Sequence, residues 1–374
     1  METIFHKSAV TLAQVGEALG LRNLDPESGK IFITDGTGVV GHRVASKLCK
    51  AGYPSVRLGG FSPESSPLSG FDGVEIADFN WSDSSTYEKA LKGVKSVLIT
   101  IPYTEKWYQN FPAFIKACHD ANVKHIVKLS FYHARKHDDI FHEVPLVRQH
   151  GHCDQQLIDM VNPAPPLQAF LTNENVPVVS GADLYIRPNM SYTILFASHY
   201  MSDPFTFQGI ELNSNNKPCT MYGATRNHGV NYVSPNDVAE VAVRVLLAPK
   251  EHYDKWYTLT GPCAIKDQEV ASYLSKYLRK PIMYADQPLH VFSTELKVSG
   301  NPRFMVDDMV ALERVKATGT EEDHAFMSDD IETICGHPPE TYEEYLHAID
   351  MMTDVEAGPP PRDDLVPLKE VSSN

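Results

Sequence analysis

Gly36, Gly38 and Gly41 are the first residues of the chain whose type and spacing specify a chemistry. They lie in the stretch Lys30 to Val44, K-I-F-I-T-D-G-T-G-V-V-G-H-R-V, just after a short apolar run, Ile31–Ile33. Val40, Val44 and Leu48 then recur at helical spacing. Between a strand and a helix, glycines spaced G-x-G-x-x-G let backbone N–H groups approach a pyrophosphate, and the helix start supplies donors and partial positive charge. Thr34, Gly36, Thr37, Gly38, Val39, Val40 and Gly41 are the expected cradle for such a ligand. Asp35 works against it, because its carboxylate stands where an anion must come close. Aspartate is nevertheless among the few residues that tolerate a tight-turn backbone, and its side chain can turn away to cap local N–H groups. The expectation is a formed cradle with weakened or selective nucleotide affinity.

A cradle of this kind works at the edge of a parallel sheet, and the downstream pattern supplies one. Val56-Arg57-Leu58 is a second short strand that runs into Gly59-Gly60-Phe61. It ends in neither the acid that accepts from ribose hydroxyls nor the base that holds a 2′-phosphate, so NAD against NADP stays open. Arg57 suits a phosphate contact or an ordinary solvated face. Gly73 to Phe79 forms a third strand closing on Asp78 and Phe79, and Ser82 to Ser85 caps a helix through Tyr87–Leu91. Gly93 to Pro102 is a turn and a near-continuous apolar strand of the kind buried in parallel sheets. Phe111 to Ala121 is helical, and His125 to Ser130 is the next strand.

Strands alternating with helices of this length predict an α/β fold, a Rossmann-type doubly wound parallel sheet with a smaller C-terminal α/β lobe. Residues 1–29 read as an N-terminal extension with a short amphipathic helix, 30–204 as the Rossmann domain, and 205–350 mainly as a substrate or partner lobe. Residues 351–374, rich in proline and charge, read as a disordered tail. Within the lobe, Gly209 to Gly223 reads as a hairpin, Lys266 to Leu278, Phe304 to Ala317 and Ser328 to Ile334 as helices, and Pro281 to Ala285 as a strand. Residues near 232–248 are expected to return to the Rossmann domain.

The bulk numbers exclude several classes of function. A chain of 374 residues that is 42 % hydrophobic has ample material for a large core. A formal net charge of −15 argues against nucleic-acid or anionic-membrane surfaces, which need basic patches. Six cysteines with no C-x-x-C pair suit free thiols in a reducing compartment rather than a disulfide frame or a zinc site. There is no basic-then-apolar N-terminal segment and no apolar run near the roughly 18 residues that span a bilayer. The expected location is cytoplasmic.

Taken together, T-D-G-T-G-V-V-G, G-V-E-I-A-D-F, A-L-K-G-V-K-S-V-L-I-T-I-P and A-N-V-K-H-I-V-K-L-S resemble the NmrA-like family, atypical short-chain dehydrogenase/reductases of the NAD(P)-binding Rossmann superfamily. The likeness continues through Tyr192-Thr193-Ile194-Leu195, Ser234 to Ala242, Tyr257 to Pro262 as a strand and turn of the C-terminal lobe, and the ending His337 to Tyr345. It covers roughly residues 30–350 in order. It departs at residues 160–188, a long insertion beside the cleft, at Phe196-Ala197, where the family keeps arginine-proline, and at Asp35, which replaces the family's first glycine. Those departures leave the substrate unassigned.

The resemblance implies NAD or NADP as cofactor, with Asp78 and Phe79 beside the adenine and Thr100, Ile101, Pro102 and Tyr103 near the nicotinamide. It implies a catalytic serine at Ser130 and, on the helix His150 to Leu157, a proton donor at His150, with His152 the competitor. Tyr132 is a second candidate donor; the superfamily's Y-x-x-x-K does not occur here. Histidine is suited to the role because it titrates near neutral pH. His133, His137 and His142 invite a metal reading, but Arg135 and Lys136 crowd them, and a charged loop over the cleft suits them better. Three functions follow: an NAD(P)H-dependent oxidoreductase of a small apolar or conjugated carbonyl-type substrate, a redox sensor acting on a regulated protein partner, or a cofactor-free interaction module. No direct nucleic-acid or membrane partner is expected, and an oligomer is compatible with the chain.

Overall fold

The computed structural model describes residues 12–18, 29–60, 73–101, 103–137, 139–162, 190–204 and 219–351. After a short helix α1 (Leu12–Ala18), β1 (Lys30–Ile33), α2 (Val39–Lys50), β2 (Val56–Leu58), β3 (Val74–Ile76), α3 (Tyr87–Leu91), β4 (Val94–Ile99), α4 (Phe111–Asp120), β5 (His125–Phe131), α5 (Pro145–Val161) and β6 (Ser191–Ala197) alternate. Then come β7 (His199–Tyr200), β8 (Cys219–Gly223), β9 (Gly229–Val233), α6 (Pro235–Leu247), β10 (Lys255–Leu259), β11 (Ala264–Lys266), α7 (Asp267–Leu278), β12 (Ile282–Asp286), α8 (Leu289–Val298), α9 (Arg303–Lys316), α10 (Asp330–Cys335) and α11 (Tyr342–Met351).

Seven strands form one parallel sheet in the order β10-β6-β5-β4-β1-β2-β3. The order reverses between β1 and β4, and that switch point is where open α/β sheets leave a crevice beyond their strand ends. The apolar runs of β1 and β4 become fully buried strands, with Ile31, Phe32, Ile33, Val97, Leu98 and Ile99 all at 0 % exposure. On one face, Val44 and Leu48 of α2 pack with Val238, Val241 and Val245 of α6. Each such side chain withdrawn from water contributes about 1.5–3 kcal/mol. Ser234 caps α6 by accepting from Asn236 N at 3.1 Å, and Arg43 Nε donates to Asn236 Oδ1 at 2.9 Å, pinning the two helices. The other face is aromatic: Phe79, Trp81, Tyr87 and Phe114 meet with ring centres 4.8–5.6 Å apart.

Three local readings change. The third strand stops at Ile76, so Asp78 and Phe79 follow it rather than end it. The first arm of the expected hairpin lies within residues 205–218, outside the described residues, while Cys219–Gly223 pairs in parallel with Ile282–Asp286, a partner about sixty residues away that local pattern cannot reveal. Lys255–Leu259 belongs to the main sheet as the neighbour of β6, not to the smaller lobe. The smaller lobe is built from β8 with β12, the β11-β9-β7 sheet, α7, α8 and α9. Helix α9 joins it to the Rossmann domain, because Asp308 accepts from both Tyr103 Oη and Leu146 N at 2.8 Å. The N-terminal residues 1–11, the span 163–189 of the insertion and the tail beyond 351 lie outside the described residues.

Candidate active site

The glycine turn is held by strand ends on both sides. Thr34 Oγ1 donates to Thr100 O at 2.7 Å and accepts from Thr100 N at 3.0 Å, tying the end of β1 to the end of β4. Gly36 N donates to Gly59 O at 2.8 Å, tying it to the end of β2. Gly41 needs to be glycine, since a Cβ there would lie 1.9 Å from Asp35 O. Helix and strand therefore approach as closely as a nucleotide cradle requires. The first N–H groups of α2, from Val39, Val40 and Gly41, have no intrahelical acceptor by geometry and face the crevice end.

Asp35 resolves the conflict by folding into the turn. Its Oδ1 accepts from Thr37 N at 3.2 Å, Thr37 Oγ1 at 2.6 Å and Gly38 N at 3.1 Å. The carboxylate occupies the early part of the nest and leaves the helix-start donors to a ligand. It caps the turn that it was expected to obstruct, while its charge stays close by.

Asp78 is exposed just beyond β3, where a carboxylate can accept from an adenosine group. Phe79 is committed to the aromatic cluster and also limits Gly59, whose Cβ would sit 3.0 Å from the Phe79 ring. Thr100 is buried and Ile101 half-buried at the end of β4. Pro102 lies outside the described residues. Tyr103 donates to Asp308 and packs edge-on to Phe304, centroids 5.4 Å apart. Arg57 is no phosphate ligand: it donates to Glu75 at 2.6 and 3.0 Å, to Ala90 O at 2.7 Å and to Lys92 O at 2.8 Å.

The group with most chemical potential lies across β5 and α5. Lys128 and Ser130 alternate on β5 and so share a face. Asp154 on α5 accepts from both, from Lys128 Nζ at 2.6 Å and Ser130 Oγ at 2.6 Å, and all three residues are buried. One turn earlier on the same helix face, His150 Nδ1 lies 3.4 Å from Lys128 Nζ, and its ring leans on Trp107 with centroids 4.8 Å apart. Burial, reinforced by the Lys128 charge, holds His150 well below the ordinary imidazole range. Burial raises Asp154, and Lys128 and Ser130 counter it.

These placements correct the expected chemistry. His150 is uncharged at neutral pH, because its surroundings penalise the imidazolium rather than stabilise it. With Lys128 donating at Nδ1, the neutral ring carries its proton on Nε2. His152, the competitor, is exposed on the far side near His142. Tyr132 is fully buried among Phe141, His133 and His199, and burial with nearby Glu321 raises its phenol well above its ordinary value. It is packed in the core instead of presented to the crevice. His133 stacks on Phe326 at 4.5 Å and bonds Asp139, whereas His137 bonds His142 at 3.0 Å.

Residue type and spacing alone give Lys128 and Asp154 no role, though the sequence carries a signal for both. A lysine inside the buried run H-I-V-K-L-S must find a carboxylate, and Asp154 stands four residues after His150. Among the described residues, the group that could hold a metal is Glu240, Cys335 and His337, and Glu240 is already paired with Arg244 at 2.8 Å and Lys47 at 3.6 Å. No described helix is long and apolar enough to cross a membrane.

A family model described as NAD(P)H-binding matches residues 36–159, the span from the glycine turn to the end of the Lys128–Asp154 network. The chain is 24% identical over 333 residues to prestalk A differentiation protein A of Dictyostelium discoideum, covering 86% of this chain and 93% of that protein. It is 27% identical over 318 residues to a (4-alkanoyl-5-oxo-2,5-dihydrofuran-3-yl)methyl phosphate reductase of Streptomyces griseus, covering 84% of this chain and 96% of that protein. Among solved structures, the NADPH complex of an NADPH-dependent quinone oxidoreductase from Escherichia coli superposes with a TM-score of 0.63 at 22% identity, covering 86% of this chain and 99% of that one. A Citrobacter triphenylmethane reductase with NADP(H) gives 0.62 at 19% identity, covering 85% and 99%.

Proposed function

We propose, on the premise that this chain is an NAD(P)H-binding protein of Rossmann fold, that it is an NmrA-like oxidoreductase reducing a small apolar or conjugated carbonyl-type substrate. The carrying observation is the Lys128–Asp154–Ser130–His150 network on the C-terminal half of β5, which in the sheet is separated from β1 and its glycine turn by β4 alone. The cradle fits a dinucleotide: a side chain at position 41 would strike Asp35 O and force α2 off the turn, and the helix-start N–H groups have no intrahelical acceptor. When bound, NAD(P)H supplies the hydride. Val39, Val40 and Gly41 N–H groups would hold its pyrophosphate, Asp78 its adenosine end, and Ile101 and Tyr103 would wall the nicotinamide side. His150 donates the Nε2 proton to the oxygen on which charge develops, and Lys128 Nζ, 3.4 Å from Nδ1, offsets the resulting charge on the ring. Asp154 orients Lys128 and Ser130 and neutralises the lysine in the core. The relatives' printed activities, on quinones, azo compounds, triphenylmethane dyes and an oxo-dihydrofuran, share an extended conjugated acceptor, which supports this substrate class.

The test is NADPH oxidation with a panel of quinones, azo dyes and conjugated ketones, for wild type and His150→Phe. Turnover that His150→Phe reduces about a hundredfold supports the assignment. A second reading, a redox sensor acting through a protein partner, is favoured by Ser130, whose hydroxyl is consumed by Asp154. Tight NADPH binding with no turnover on the whole panel selects it. The six free cysteines support a reducing compartment, which we take to be the cytoplasm.

A further inference from the structure

A cavity of about 1030 Å³ opens in the smaller lobe, away from the glycine turn, between the β8–β9 turn, the β12–α8 junction and α9. That is room for a small organic molecule. Its lining combines three chemistries. Arg226 and Arg314 supply two guanidinium groups, Leu289, Val310 and Ala317 supply apolar wall, and Gln287 and Asp286 supply acceptors.

The two arginines are what ask for an explanation. The chain carries 48 acidic and 33 basic residues, yet neither guanidinium forms an ion pair among the described residues, whereas Arg303 and Lys316 of α9 both do. Arg226 is placed with some effort: its backbone sits at φ 55°, and its N–H donates to Asp286 Oδ1 at 2.9 Å. Asp286 also accepts from Tyr284 Oη at 3.2 Å, so its charge is partly spent on the wall. Gln287 Oε1 is buried with no donor among the described residues. Helix α8 begins at Leu289 on the same wall.

We propose that this cavity binds a small phosphate ester. The planar guanidinium forks hold the phosphate. The apolar wall receives the body of the ligand. The site lies on the face of α9 opposite Phe304 and Asp308, which hold Tyr103, so it is distinct from the cofactor crevice. It does not depend on the oxidoreductase reading.

Calorimetric titration with phenyl phosphate, with and without NADPH, tests it. The expected result is one phenyl phosphate site that persists in the presence of NADPH, weakened at least about tenfold by Arg314→Gln and by Arg226→Gln. Both residues are exposed, so the variants should fold, and an unfolding curve checks this. Phenol should not bind, and benzoate should bind more weakly. Absence of binding, a site abolished by NADPH, or unchanged affinity in the double variant overturns the proposal. Benzoate binding as tightly as phenyl phosphate overturns the phosphate assignment.

Discussion

Replacing Asp35 by Asn keeps an oxygen in the turn and removes its charge. The amide oxygen can accept the same three bonds, from Thr37 N at 3.2 Å, Thr37 Oγ1 at 2.6 Å and Gly38 N at 3.1 Å, so the backbone should hold its shape. A phosphate on the N–H groups of Val39 to Gly41 sits one to two peptide units farther along, roughly 6–8 Å from that oxygen. At an effective dielectric near 20, a unit charge at about 8 Å costs about 2 kcal/mol, and salt screening reduces this. The variant should therefore bind NADPH about tenfold to a hundredfold tighter at low salt, with the gain shrinking as salt rises. Asp35→Gly removes the charge and the cap together, so part of its gain in affinity is offset by a looser turn. Fluorescence or calorimetric titration of the three proteins at two ionic strengths reads both effects. An Asp35→Asn affinity within about twofold of wild type at low salt would refute the electrostatic reasoning, as would a gain that salt leaves untouched.

Gly41→Ala should abolish nucleotide binding and cost at least about 2 kcal/mol in urea unfolding, because its Cβ would meet Asp35 O at 1.9 Å. Asp154→Asn leaves Lys128 charged and unpaired in the core; a loss of about 3–5 kcal/mol is expected, against about 1 kcal/mol for Ser130→Ala. If reduction is observed, its rate should show no limb from His150 near pH 6.5, since that ring is held well below 6.5, and a limb there that His150→Phe removes would contradict the neutral imidazole. Stability should fall under acid. Burial drops His125 from 6.5 to about 3, so its contribution to stability is fully present above about 6.5, and on the order of 5 kcal/mol is lost as pH falls from 6.5 toward 3. Urea unfolding across that range should be flatter for His125→Gln.

How far the chain could be read depended on how local each cause was. The glycine turn was legible because its strand, turn and helix are consecutive and each glycine answers a backbone need inside the same ten residues. The alternation of strands and helices likewise carried the doubly wound sheet. Lys255–Leu259 and Ile282–Asp286 were legible as strands but their pairings with β6 and β8 were not, because each is chosen by a partner about sixty residues away. The site divides in the same way. The family resemblance marked Ser130 and His150, with Tyr132 as a second donor, and only packing sent Tyr132 into the core and joined His150 to Lys128. Lys128 and Asp154 stand 26 positions apart, and their pairing follows from α5 crossing β5, since a charge in that core must be met by another. Asp35 combines the two cases. The sequence alone determined that a carboxylate stands at the turn, while the folded backbone decided that it caps Thr37 and Gly38, because only there do two N–H groups and a hydroxyl converge on one oxygen.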